Sequence, residues 1–187
     1  MNIALNGGEP VRNEFLPFYK PVISDKEIEE VIHTLKSGWI TTGPKTMEFQ
    51  KKFAEYIGIK NAIAVNSCTA GLHLALEAIG VKPGDEIITT PYTFAATANV
   101  VEQMGAKVVF VDVEEDTLNI DVSKIEEKIN GNTKAIIPVH FAGHPCDMDK
   151  IMEIAKNRSL YVIEDAAIAS INSALSHSNS LKSILNV

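Results

Sequence analysis

Two cysteines, a single tryptophan and no apolar run of membrane-spanning length leave several protein classes without support in these 187 residues. Cys68 and Cys146 are too few for a disulfide framework or a four-cysteine zinc site, so a reduced compartment is expected. A bilayer-spanning helix needs about 20 consecutive apolar residues, and no such run occurs, so no membrane segment is expected. Met1 to Pro10 carries Asn, Gly and Glu where a signal peptide has its apolar core. The expected location is therefore the cytoplasm. Positive charge is also scarce: 17 Lys and Arg against 24 Asp and Glu give a net charge of -7. With both signs interspersed, a general nucleic-acid or anionic-membrane surface is not expected, although a local anion site is compatible. Neither Gly-x-Gly-x-x-Gly nor Gly-x-x-x-x-Gly-Lys-Ser/Thr occurs, which removes the dinucleotide and P-loop fingerprints.

What is present fits one ordinary soluble domain with a real core: 45% hydrophobic and 22% charged residues. Residues 1–23, with Gly7-Gly8 and three prolines, read as an extended arm. Ser24-Asp25-Lys26-Glu27 is a capping-box pattern, and Ile28, Val31, Ile32 and Leu35 then form one apolar helical face ending at Gly38. The loop Gly38-Trp39-Ile40-Thr41-Thr42-Gly43-Pro44 follows, a hinge or a pocket wall. A second helix over Thr46 to Ile57 is expected to bury Phe49, Phe53 and Tyr56 or Ile57. Beyond it, strands are expected at 62–65, 86–90, 108–113, 135–139 and 161–164. Helices are expected at about 95–104, 122–129 and 148–157, the last two capped by Asp121 and Asp147. Continuous Val/Ile-rich strands separated by amphipathic helices indicate an α/β fold, a mostly parallel sheet flanked by helices. Ligands of such sheets bind beyond the carboxyl ends of strands.

One of those ends stands out. Asn66-Ser67-Cys68-Thr69-Ala70-Gly71 turns from the apolar run 62–65 into a helix whose core-facing residues are Leu72, Ala75, Leu76 and Ile79, stopped by Gly80. The first N–H groups of a helix lack intrahelical partners and sit at the positive end of its dipole, so an anion is stabilised there. Ser67 or Thr69 acting only as a helix cap explains the same residues.

Five stretches in order resemble the DegT/DnrJ/StrS family of pyridoxal-phosphate (PLP) sugar-nucleotide aminotransferases, of the aspartate-aminotransferase fold type. They are Gly38 to Pro44, Ser67 to Leu76, Thr90-Pro91-Tyr92-Thr93-Phe94-Ala95-Ala96, Ile137-Pro138-Val139-His140-Phe141-Ala142-Gly143, and Val162-Ile163-Glu164-Asp165-Ala166-Ala167. The resemblance implies that Thr69 and the Ala70 amide hold the cofactor phosphate. It places Phe94 over the pyridine ring, where the residue alone would read as core. It assigns Asp165 to the pyridine nitrogen, whose protonation a carboxylate maintains. The implied activity transfers an amino group from a donor such as glutamate to a nucleotide-linked keto sugar in polysaccharide biosynthesis, in a homodimer.

The family pattern is broken at two places. Ile168 stands where the family carries His or Gln, and the Ser-Phe stretch that leads to the Schiff-base lysine does not follow. Residues 168–187 are a Ser/Asn-rich tail without glycine, and its one lysine, Lys182, reads as a surface residue. The expectation is a large domain over 24–167 that is partial, with no small domain. Such a chain would bind PLP weakly and noncovalently, and would be inactive and prone to associate. Two further readings involve different chemistry. His140, His144, Cys146, Asp147 and Asp149 are zinc-ligand types, but Pro145 breaks any shared helical face. A dehydratase branch of the same family, in which His replaces the lysine, finds no support, since His177 lies outside the matching motif. A non-enzyme that binds a partner or a phosphate-bearing ligand is the alternative from another class.

Overall fold

The computed structural model describes residues 3–17 and 19–168. The chain divides into two compact units, Met1–Lys45 and Thr46–Val187.

In the first unit the arm is irregular apart from a single 3-10 turn, Ala4–Asn6, closed by Gly7 at φ 83°. Helix α1 (Asp25–Lys36) starts at the expected capping box. The Glu27 carboxylate accepts the Ser24 amide at 2.6 Å and also the Ser24 hydroxyl, and these two donors hold the Glu27 carboxyl below the usual range. The apolar face of α1 is not buried: Ile28, Val31, Ile32 and Leu35 are 44 to 62% exposed. In the following loop the Trp39 indole Nε1 donates to the Thr42 carbonyl at 2.9 Å. The ring lies so close over Gly43 that a Cβ there would sit 1.8 Å from Nε1. Any residue but glycine at 43 would expel the indole.

Helix α2 (Pro44–Ile57) follows. Ile57 is buried as expected, together with Ala54, but Phe49 and Tyr56 are exposed. Phe49 instead packs its ring on Phe53, centroids 5.9 Å apart. The strand expected at 62–65 is absent. Residues 61–65 are irregular, with Ile63 exposed, and the Ala64 amide donates to the Gln50 side chain at 2.9 Å instead of to a neighbouring strand. A run of β-forming residues becomes a strand only where a partner accepts its amides.

Helix α3 (Cys68–Ala78) buries Leu72, Ala75, Leu76 and Ile79, the face expected from spacing. Strand β1 (Glu86–Thr89), helix α4 (Ala96–Gln103), strand β2 (Lys107–Phe110), strand β3 (Thr133–Ile136), helix α5 (Met148–Arg158) and strand β4 (Tyr161–Val162) complete the unit. The sheet runs β2-β1-β3-β4, and every pair is parallel. Residues 122–129 form two 3-10 turns, Val122–Lys124 and Glu126–Lys128, instead of one short helix. Val122 and Ile125 both enter the core, and a three-residue turn stacks i and i+3 directly. Asp121 caps the first turn through the Ser123 amide and Asp147 caps α5 through the Lys150 amide, both as expected.

The pleat sends alternate residues into two cores. Ile87, Ala135, Ile137 and Ile163 join α3 and α4 on one face. Ile88, Ile136 and Val162 join Val122, Ile125 and Ile151 of α5 on the other. Pro138 has no amide to donate, so regular pairing ends early, but the chain stays in register beyond it. The Asp165 amide donates to the Pro138 carbonyl at 2.9 Å, and the His140 amide to the Asp165 carbonyl at 3.1 Å. These two bonds fix Asp165 at the carboxyl edge of the sheet.

Candidate cofactor site

Asp165 is a carboxylate only 6% exposed, and three elements converge on it. Its Oδ2 accepts the Thr97 hydroxyl at 2.7 Å. Its Oδ1 takes the Cys68 thiol at 3.7 Å and the Ala167 amide at 3.3 Å. Cys68 is the first residue of α3 and Thr97 lies in the first turn of α4. Two helix amino termini therefore address one buried side chain, each through a hydrogen bond to a different carboxylate oxygen. Thr97, fully buried, has one hydroxyl proton; with that proton on the carboxylate, the Thr93 hydroxyl donates to Thr97 Oγ1 at 2.8 Å. The sequence reading omitted Thr97 and Cys68 as site residues. Their signal is positional: one precedes the candidate phosphate residue, the other follows the candidate stacking aromatic by three.

At the start of α3 the capping reading is realised. The Ala70 amide donates to Ser67 Oγ at 3.1 Å, so an anion here would share or displace that hydroxyl, with the exposed Thr69 side chain beside it. Phe94 is 82% exposed, a bare aromatic face just before α4 and not the core residue that it would read as by itself. Ile168, next to this edge, is exposed as well. Lys182 and His177 lie outside the described residues.

The histidine loop is tightly wired. Nδ1 of the buried His140 accepts the Cys146 amide at 3.1 Å, which puts the ring proton on Nε2, facing Glu164 Oε2 at 3.0 Å. The Cys146 thiol donates to the Val139 carbonyl at 3.3 Å, and Asp147 caps α5. Asn119, buried, donates to the His144 and Pro145 carbonyls at 3.1 and 3.0 Å and accepts the Phe141 amide at 3.0 Å. This single amide sets the loop over 141–145, where Phe141 packs on Tyr92 with ring centroids 4.6 Å apart. Among the described residues no group of three or more His, Cys, Asp and Glu is placed to hold a metal. Nor is any helix among them long and apolar enough to cross a membrane.

Both thiols are held protonated. Burial first, then the charge and hydrogen bond of Asp165, push Cys68 from 9.0 to about 11. Burial pushes Cys146 up to about 12. At neutral pH Cys68 then carries roughly a hundredfold less thiolate than an ordinary thiol. Iodoacetamide should label the folded protein at neither cysteine on a timescale that labels the urea-unfolded chain completely. Rapid labelling of Cys68 near pH 7.5, read by peptide mass mapping, would contradict its bond to Asp165.

Known proteins resemble this chain over most of its length. A protein of Methanocaldococcus jannaschii that carries no functional name is 60% identical over 159 residues, 85% of this chain and 41% of its own length. The spore coat polysaccharide biosynthesis protein SpsC of Bacillus subtilis is 54% identical over 158 residues, 84% of this chain and 41% of its own. The chain thus spans about two fifths of the length of these relatives. NtdA of Bacillus subtilis, solved with bound cofactor PMP, superposes with a TM-score of 0.73 at 39% identity, over 77% of this chain and 34% of that one. The fold is the parallel, helix-flanked sheet of PLP-dependent aminotransferases of fold type I. With the family model matching residues 21–176, the chain belongs to the DegT/DnrJ/EryC1/StrS aminotransferase family.

Proposed function

We propose that the second unit carries the PLP-binding site of an aminotransferase that moves an amino group, from glutamate, to a keto sugar attached to a nucleotide. The observation that carries this reading is the buried Asp165 carboxylate addressed by the first turns of α3 and α4. The residues fit the cofactor. Oδ2 takes one protein donor and keeps a lone pair for a pyridinium N–H. The start of α3 offers amides and the Thr69 hydroxyl to a phosphate, and Phe94 offers an open face for stacking. When bound, PLP supplies an electron sink for the substrate carbon that loses its proton. Asp165 maintains the charge on the ring nitrogen, and Phe94 shields the reacting face from water. SpsC is named for polysaccharide biosynthesis, which supports a sugar as acceptor. Both ligands are phosphate-bearing solutes of the cytoplasm, where we place the protein.

A second reading, favoured by the Ser/Asn-rich stretch 168–187 standing in place of the family's Ser-Phe segment and lysine, is a relative that binds the phosphate ligand without chemistry. In either case the 187-residue chain is expected to bind PLP weakly, saturably and noncovalently, and to show no turnover. Absorbance titration tests the saturable binding, borohydride trapping with mass mapping tests its noncovalent character, and an amino-transfer assay tests turnover. A lack of saturable binding would sink the cofactor reading, and a stoichiometric adduct at Lys182 would overturn the noncovalent one. The aminotransferase reading requires a Ser-Phe stretch followed by a lysine in one frame of the DNA downstream of codon 167. An unrelated domain there would leave only the binding reading.

A further inference from the structure

Thr97 is fully buried, and its hydroxyl lies 2.7 Å from Asp165 Oδ2 and, more distantly, 3.2 Å from the Phe94 carbonyl, within a relay that begins at Thr93. Its own amide is tied to the Phe94 carbonyl at 3.1 Å. The same residue therefore contacts the carboxylate through its hydroxyl and the backbone carbonyl of the open aromatic through both its amide and its hydroxyl. We propose that Thr97 is a positioning residue for the pyridine end of the cofactor, setting the rotamer of Asp165 and its distance from the Phe94 face together. The role rests on the PLP reading of the site. Oδ1 is already fixed by the Cys68 thiol and the Ala167 amide. Without the Thr97 donor the carboxylate keeps those anchors but loses the one that fixes its second oxygen. It can then rotate about the remaining bonds, and the oxygen aimed at the ring nitrogen is no longer held for it. A hydrogen bond to a charged, buried acceptor is the strong kind, and its loss is felt by whatever the acceptor binds next.

The test compares two rings: PLP, and its 1-deaza analogue, in which carbon replaces the pyridine nitrogen. For the parent chain, T97V and T97S, affinities for both are read by fluorescence titration, with a cofactor-free thermal melt for each protein. Valine keeps the shape of threonine without the donor, and serine keeps the donor. T97V is expected to weaken PLP binding roughly tenfold, leave the deaza analogue within about twofold, and be rescued by T97S. In an Asp165→Asn background the same substitution should have little further effect on PLP, since it acts through that carboxylate. Equal losses for PLP and the analogue, or a loss that follows the melt and is not rescued by serine, would show Thr97 to be a packing residue and overturn the role while leaving the cofactor reading intact. If the parent chain binds neither ring, the cofactor reading fails and this role fails with it.

Discussion

Replacing Asp165 by Asn lowers PLP affinity by between ten- and a hundredfold while the protein stays folded. The substitution removes the charge and keeps the shape. The amide oxygen can still accept the Cys68 thiol and the Ala167 amide, and the Thr97 hydroxyl can turn to accept the new NH2 group. Folding therefore loses little. A pyridinium bound to a buried carboxylate makes a charge-assisted bond worth about 1.5–3 kcal/mol, and each 1.4 kcal/mol is tenfold in affinity. In a relative that turns over, the rate should fall by more than the affinity, because the ring nitrogen needs its positive charge most when the substrate carbon has lost its proton. Titrations of the two proteins with matched melting curves decide the matter. Unchanged PLP affinity in D165N would remove Asp165 from the pyridine nitrogen.

The second large effect concerns association. The chain of 187 residues is expected to self-associate in dilute buffer, through the apolar face of α1. Ile28, Val31, Ile32 and Leu35 lie on one side of that helix and stay about half exposed. Complete burial of such a side chain contributes roughly 1.5–3 kcal/mol, so covering the exposed half of four against a second copy yields about 3–6 kcal/mol before the cost of association. The sheet adds a weaker tendency: β2 and β4 are its outermost described strands, each paired on one side only. Val31→Glu combined with Leu35→Glu should move the elution position toward monomer and leave the melt of the second unit unchanged. Light scattering that finds the parent chain monomeric at tens of micromolar would refute the idea. It would then favour a stable, self-contained binding protein.

The second unit was legible in the sequence wherever a residue's fate is settled by near neighbours or by plain periodicity. The core face of α3 follows from four residues at helical spacing, and the caps Asp121 and Asp147 act on amides two or three positions away. The parallel sheet follows from apolar strands alternating with helices. What could not be read depends on partners far along the chain. Residues 62–65 have the composition of a strand, but strand formation is decided by a neighbour's carbonyls, and Gln50 supplies the acceptor instead. The apolar side of α1 and the ring of Phe49 are correctly patterned, yet pattern cannot reveal whether anything covers them. Phe94 is the reverse case, an aromatic in an apolar setting that ends up bare just before α4. The resemblance pointed to Asp165. That Thr97 and Cys68 bond to it is a fact of three dimensions.

The bonds at Asp165 also bear on when the site comes into being. The Cys68 thiol and the Thr97 hydroxyl reach across 97 and 68 residues of chain to their common acceptor. A ribosome that has released residues up to Phe110 has already delivered α3, β1, α4 and β2, whose contacts are largely sequential. These can settle as they emerge, since closing short loops costs little entropy. Asp165 arrives more than fifty residues later, after β3, α5 and β4. Among the described residues, the site is thus the last part of the second unit to assemble during synthesis. A nascent chain interrupted anywhere before Asp165 presents a phosphate-type helix start and two hydroxyls with no charge to gather around.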